Sequence, residues 1–162
     1  MSATGRLVSR PIGADALITE VAAPANGAIL LFLGVVRELN EGRAVTGIEY
    51  SAYEAMATRE LEDIATEAAA RFAPAAICVE HRTGTLALEE ASVGIAVAHP
   101  HRGVAYDASR WVIEELKRRV PIWKQEHYAD GTREWVDPTG GSRGEAGTEP
   151  GRIPSARAAG AP

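Results

Sequence analysis

Four cations fall within eight positions of one short stretch: Lys117, Arg118, Arg119 and Lys124 in Leu116-KRRVPIWKQ-Glu126. Mutual repulsion and partial burial lower the pKa of a lysine, and a lysine tuned in this way acts as a base or nucleophile near neutral pH. A plainer role is open too, because cations in the last turn of a helix complement the negative end of its dipole. The apolar Pro121-Ile122-Trp123 segment weighs toward chemistry, since it ties both lysines to packed scaffold.

A second cluster is His99-Pro100-His101-Arg102, placed just ahead of a helical pattern. The start of a helix presents unpaired N–H groups and a positive dipole end, a seat for an anion. His101 and Arg102 capping a surface turn is the plainer alternative. A metal-dependent hydrolase using His99, His101 and His81 is another, weakened by Pro100 between two of the ligands. Arg37 ends a long apolar run, where an arginine fork can clamp a phosphate or carboxylate or simply terminate a strand. Glu49, His81, Arg82 and Glu126 read equally as pocket groups or polar surface. Cys78, among Ala76, Ile77 and Val79, reads as a buried hydrophobe.

The elements that must position these residues follow from periodicity. The nine apolar residues Ala28–Val36 predict a fully buried strand, followed by a loop over 38–43. Residues 45–53 alternate as a half-buried strand. Met56, Leu61, Ile64, Ala65, Ala68 and Phe72 recur at helical spacing and Pro74 closes the segment. Strands are predicted over 76–83 and 92–99, the latter alternating Val93, Ile95 and Val97 with Gly94, Ala96 and Ala98, small residues against which something packs closely. A second helix runs from Gly103 through Leu116 until Pro121 stops it. The β-β-α-β-β-α order predicts an α+β fold, a mixed or antiparallel sheet carrying two main helices on one face.

Composition narrows the function classes. The 162 residues, 46% hydrophobic, suffice for one core. A net charge of -5 argues against nucleic acid or anionic lipid as partners. One cysteine excludes an intrachain disulfide framework and fits a reducing compartment. With no apolar run near the ~20 residues of a membrane helix and no secretory pattern at the start, a cytoplasmic protein is expected. Residues 1–136 read as the folded domain. Residues 137–162 hold six Gly, four Pro and Ile153 as the only large apolar side chain, so a disordered tail is expected there.

Seven segments, taken in order, resemble the large, catalytic subunit of molybdopterin synthase: Phe32-LGVVRELNEG-Arg43, Ile48-EYSAYEAM-Ala57, Arg71-Phe72, His81-RTGT-Leu86, His101-Arg102, Leu116-KRRVPIWKQ-Glu126 and Asp130-GTREW-Val136. Val35 stands where some members carry lysine, and Ser51 where glutamate is common. The resemblance implies a sulfurtransferase that converts cyclic pyranopterin monophosphate to molybdopterin. Sulfur would arrive as a thiocarboxylate on the C-terminal glycine of a small ubiquitin-like partner. Two large and two small subunits would form a heterotetramer around a homodimer, with no cofactor or metal needed. Residue by residue, the resemblance implies Lys117 and Lys124 as catalytic. Val35, Val36, Arg37, His101, Arg102, Gln125 and Glu126 would join them in binding the substrate, with His101 and Arg102 at its phosphate. A noncatalytic adaptor for a ubiquitin-like protein is the competing class.

Overall fold

The computed structural model describes residues 2–136, so the expected tail over 137–162 lies outside the described residues. In chain order the elements are β1 (Ala3–Val8), α1 (Ala14–Val21), β2 (Ala28–Val35), β3 (Leu39–Asn40), β4 (Arg43–Ala52), α2 (Glu54–Arg71), β5 (Ala76–Arg82), β6 (Gly84–Ala87), β7 (Ala91–His99), α3 (Arg102–Arg119), β8 (Ile122–Tyr128) and β9 (Arg133–Val136). The α+β class and the two main helices are as expected, while β1, α1, β6, β8 and β9 are additions to the periodicity reading.

One sheet has the order β1-β5-β7-β2, parallel at β1–β5 and antiparallel elsewhere. Alternation sends Ile77, Val79, Val93, Ile95 and Val97 to one face, where they meet the buried stripes of α2 (Leu61, Ile64, Ala65, Ala68) and α3 (Ala105, Ala108, Val112, Leu116). Each large aliphatic side chain buried here contributes about 1.5–3 kcal/mol. The opposite face carries Ala76, Cys78, Ala96 and Ala98 beneath Leu17 and Val21 of α1. That helix is what the small residues of β7 accommodate: a Cβ at Gly94 would lie 2.5 Å from Leu17 Cδ1. The helices therefore cover both faces, with the two long ones together.

The fully buried strand expected over Ala28–Val36 is instead β2, at the edge of this sheet, with Ile29, Phe32 and Val35 exposed. An apolar run gives β propensity but does not say how many neighbours a strand has. An edge this apolar is a surface that natural proteins cover.

The second sheet has the order β3-β4-β8-β9, and β6 pairs with β4 on the edge that β3 also uses. The chain passes from the first sheet to the second between β5 and β6, turning at Gly84, whose φ of 96° is open to glycine at little steric cost. The loop expected over 38–43 contains β3 and a tight hairpin turn, with Glu41 and Gly42 both at positive φ. No helix among the described residues is long and apolar enough to cross a membrane.

Candidate active site

A cleft of about 370 Å³ opens where the two sheets meet, beneath the last turn of α3. That volume lies within the roughly 300–1,000 Å³ typical of small-molecule sites. Its walls are drawn from many parts of the chain: Phe32, Gly34, Val35 and Arg37 at the end of β2, Ile48 and Tyr50 of β4, His81 of β5, Ser92 and Val93 of β7, Leu116 and Lys117 of α3, and Lys124 and Glu126 of β8. Asn40 of β3 reaches the same space.

The two lysines arrive by different routes. Lys117 is exposed on the final turn of α3, and Val120 and Pro121 then reverse the chain into β8. Ile122 is buried in the main core and Trp123 packs edge-on to Tyr53, ring centroids 4.9 Å apart, so the Pro-Ile-Trp segment does anchor the turn. Along β8, alternation places Ile122, Lys124, Glu126 and Tyr128 on one face. Lys124 Nζ lies 2.9 Å from Glu126 Oε1, and Glu126 is 2% exposed.

The four-cation cluster is divided by the fold. Arg118 turns to Glu115, and Arg119 bridges α3 to α2 through Glu60 (3.0 Å) and Glu67 (2.8 Å). Only the two lysines are left to the cleft. Their selection has a sequence signal that periodicity does not use: among 17 basic residues, Lys117 and Lys124 are the only lysines. Among the described residues, Arg37, Lys117 and Lys124 face a single carboxylate in the cleft, Glu126, so this lining favours an anionic ligand.

His81 is a cleft residue that the motif reading left open. Its Nδ1 lies 3.0 Å from the Arg82 carbonyl, and its ring meets Tyr50 edge-on with centroids 5.2 Å apart. Burial pushes its pKa down to about 4, so the ring is neutral at physiological pH. With Nδ1–H donated to the carbonyl, the other ring nitrogen is left as an acceptor.

Several expected site residues lie elsewhere. Gln125 occupies the opposite face of β8, its Oε1 3.2 Å from His127 Nε2. Val36 is 3% exposed and packs with Val45, Ile48, Leu86 and Tyr128 behind the cleft wall. His101 and Arg102 are exposed at the start of α3, next to the end of β7. Fifteen residues of helix separate Arg102 from Lys117, about 22 Å at the helical rise. His81 pairs with Val93 at one end of β7, whereas His99 pairs with Ala28 at the other, about 20 Å away at the strand rise. One chain therefore brings together neither the three histidines of a metal site nor the whole phosphate set. Cys78 is buried and its thiol is pushed up to about 11 by that burial, the inert role expected for it.

Comparison with known proteins places the chain in a family. The family model described as MoaE protein matches residues 7–119. A molybdopterin synthase catalytic subunit from Halalkalibacterium halodurans is 42% identical over 130 residues, covering 80% of this chain and 83% of that protein. One from Aspergillus clavatus is 40% identical over 129 residues, and there the alignment spans 80% of this chain but 65% of the relative's length. The crystal structure of molybdopterin synthase from Staphylococcus aureus superposes with a TM-score of 0.78 at 34% identity, covering 82% of this chain and 96% of that one. The chain belongs to the MoaE family, that of the molybdopterin synthase catalytic subunits.

Proposed function

We propose that this chain is the sulfur-transferring subunit of a cytoplasmic molybdopterin synthase. It converts cyclic pyranopterin monophosphate to molybdopterin with sulfur from the C-terminal thiocarboxylate of a small ubiquitin-like subunit. The observation that carries the reading is the placement of the chain's only two lysines in one cleft, with Lys124 held by a buried glutamate. Lys117 and Lys124 stabilise the anionic thiocarboxylate and hand protons to and from the reacting groups as its sulfur bonds to a side-chain carbon of the substrate, whose C–O bond breaks with the oxygen leaving protonated; water then cleaves the acyl–sulfur bond, leaving sulfur on the substrate and returning the partner's terminal carboxylate. Glu126 fixes Lys124, Arg37 holds an anionic group of the substrate, and Phe32 and Val35 supply apolar wall.

His101 and Arg102 enter this scheme through a second copy. They lie beside the Ala28 end of β2, and Arg37 lies beyond the Val35 end. Antiparallel pairing of two β2 edges about a two-fold axis sets the Ala28 end of one copy against the Val35 end of the other. It would also cover Ile29, an exposed residue of that edge. The homodimer within a heterotetramer then supplies each cleft with an Arg37 from one copy and the His101-Arg102 pair from the other.

Purified protein mixed with thiocarboxylated partner and the cyclic pterin monophosphate should yield the dithiolene product. Binding of the partner with no product, at any ratio of the components, would leave an adaptor and overturn the assignment.

A further inference from the structure

Glu126 is a buried carboxylate with two oxygens to satisfy, and Lys124 reaches only Oε1. The other oxygen is met by a residue beyond the Pro-Ile-Trp-Lys-Gln-Glu run. Tyr128 Oη donates to Glu126 Oε2 at 2.8 Å, and Asn40 Nδ2 donates to Tyr128 Oη at 3.2 Å. The proton order is fixed by chemistry. An ionised carboxylate has no hydrogen to give, so the single tyrosine proton points to Glu126 and the tyrosine oxygen accepts from the Asn40 amide. The chain of bonds runs Asn40 to Tyr128 to Glu126, with Lys124 closing it from the far side.

The ring of Tyr128 is held as firmly as its hydroxyl. It is 5% exposed, and the Arg43 guanidinium stacks over it at 3.6 Å from the centroid. Arg43 is itself tied to Glu134 at 2.7 Å and Thr132 at 2.8 Å. Asn40 and Arg43 pair across the tight β3–β4 turn. Both residues of that hairpin therefore grip one tyrosine, and the tyrosine grips the partner of a lysine in the cleft.

We propose that Tyr128 is a positioning residue, which fixes Glu126 and through it Lys124, and which couples their placement to the β3–β4 hairpin. The part concerning turnover rests on the reading of Lys124 as catalytic; the part concerning lysine placement does not. Tyr128→Phe keeps the buried ring and its stacking and deletes only the hydroxyl, so the fold is retained.

Two measurements test this on the full chain. The first is limited acetylation with acetic anhydride, read by mass spectrometry as the ratio of Lys124 to Lys117 labelling, which is clean because these are the only lysines. An ammonium freed from a firm charge-assisted bond reacts faster, so the ratio should rise about threefold or more in Tyr128→Phe. The second is turnover with thiocarboxylated partner and pterin precursor, where kcat should fall about tenfold while KM stays within about twofold, the signature of lost alignment rather than lost binding. A labelling ratio equal to that of wild type overturns the proposal whatever turnover does. A raised ratio in a protein whose wild type makes no product upholds the positioning and removes the reading of the reaction, so the two failures are distinguishable.

Discussion

Two glutamates in this protein are equally buried, each 2% exposed, and each is tied to cations, yet they sit in different kinds of place. Glu80 of β5 faces α1, where Arg6 and Arg10 approach its Oε1 at 3.1 and 2.8 Å and Arg6 also meets Glu20. The bond to Glu20 is the main reason that the pKa of Arg6 is raised, and its bond to Arg6 the main reason that the pKa of Glu20 is lowered. Glu126 of β8 faces the cleft, where its cation is a lysine and its second partner a tyrosine. Arginine stays charged at any accessible pH and forks its donors rigidly, which suits a permanent fastening of α1 to the sheet. Lysine carries a compact charge and can exchange a proton, which suits chemistry. Burial with ion pairing is therefore common to both regions, and what separates them is the adjoining void and the type of cation.

The largest effect should come from the cleft. Lys117→Ala and Lys124→Ala are each expected to lower product formation about a hundredfold or more, the usual scale for a positioned proton-transfer group. Thermal stability should hold for Lys117→Ala, whose side chain is exposed, whereas Lys124→Ala should also lower it, because the buried Glu126 carboxylate loses its cation. Activity within about threefold of wild type for either variant, less than about 0.7 kcal/mol in barrier, would end the distinction between the two regions.

Next in size is a pH effect that separates neighbouring residues of β5. Alternation sends Glu80 to the α1 face and His81 to the cleft. His81 has a folded pKa of about 4 because of burial, below the ordinary value of about 6.5 in the unfolded chain. The unfolded state thus takes up a proton that the folded state refuses. Stability is complete above about pH 6.5 and is lost as pH falls toward 4, by about 3 kcal/mol across the window. Glu20, with its lowered pKa, contributes only further down, below the ordinary carboxylate range. Melting temperatures of wild type and His81→Gln from pH 7.5 to 4.5 check this: the variant should lose distinctly less stability, and parallel curves would show that His81 does not carry the effect.

Glu80→Gln should do the reverse of the lysine substitutions. One buried carboxylate loses its charge while both arginines, partly exposed, regain water. A loss of about 1–3 kcal/mol is expected for a bond of this kind, or roughly 2–4 °C of melting temperature per kcal/mol at this chain length. Product formation per folded molecule, measured well below the transition, should stay within about twofold. A collapse of turnover without a change in melting temperature would assign the Glu80 cluster to function after all.

The same contrast explains what could be read from the sequence. α2 and α3 were legible because their apolar stripes run through about five turns, and β4, β5 and β7 because their inward positions are aliphatic. β8 was not, because its inward face carries Lys124, Glu126 and Tyr128, and a strand that buries polar groups inverts the pattern that periodicity detects. α1 has only eight residues, too few to stand out. The lysine pair and Arg37 stand out in the sequence through motif and spacing, and all three line the cleft. Their distance from His101 and Arg102 was hidden because a motif fixes which residues matter, whereas strand and helix lengths fix how far apart they fall. Gln125 lies away from the cleft for a related reason: adjacent residues of a strand face opposite ways.

The smallest effect should come from removing residues 137–162, and its smallness is informative. Six Gly and four Pro, with Ile153 alone as a large apolar side chain, leave this segment little to bury against the ordering entropy of 26 residues. The closing strand β9 ends at Val136 and pairs with β8 at Lys124, the position that carries the cleft lysine. A chain ending at Val136 therefore keeps every strand pairing described above. Its melting temperature should lie within about 2 °C of the full chain, less than the roughly 2–4 °C that 1 kcal/mol produces at this length. A larger fall would place a packed element beyond Val136. If turnover dropped while the melting temperature held, the segment would act on the cleft rather than on the fold, and the boundary between stability and chemistry drawn at Glu80 and Glu126 would extend to the end of the chain.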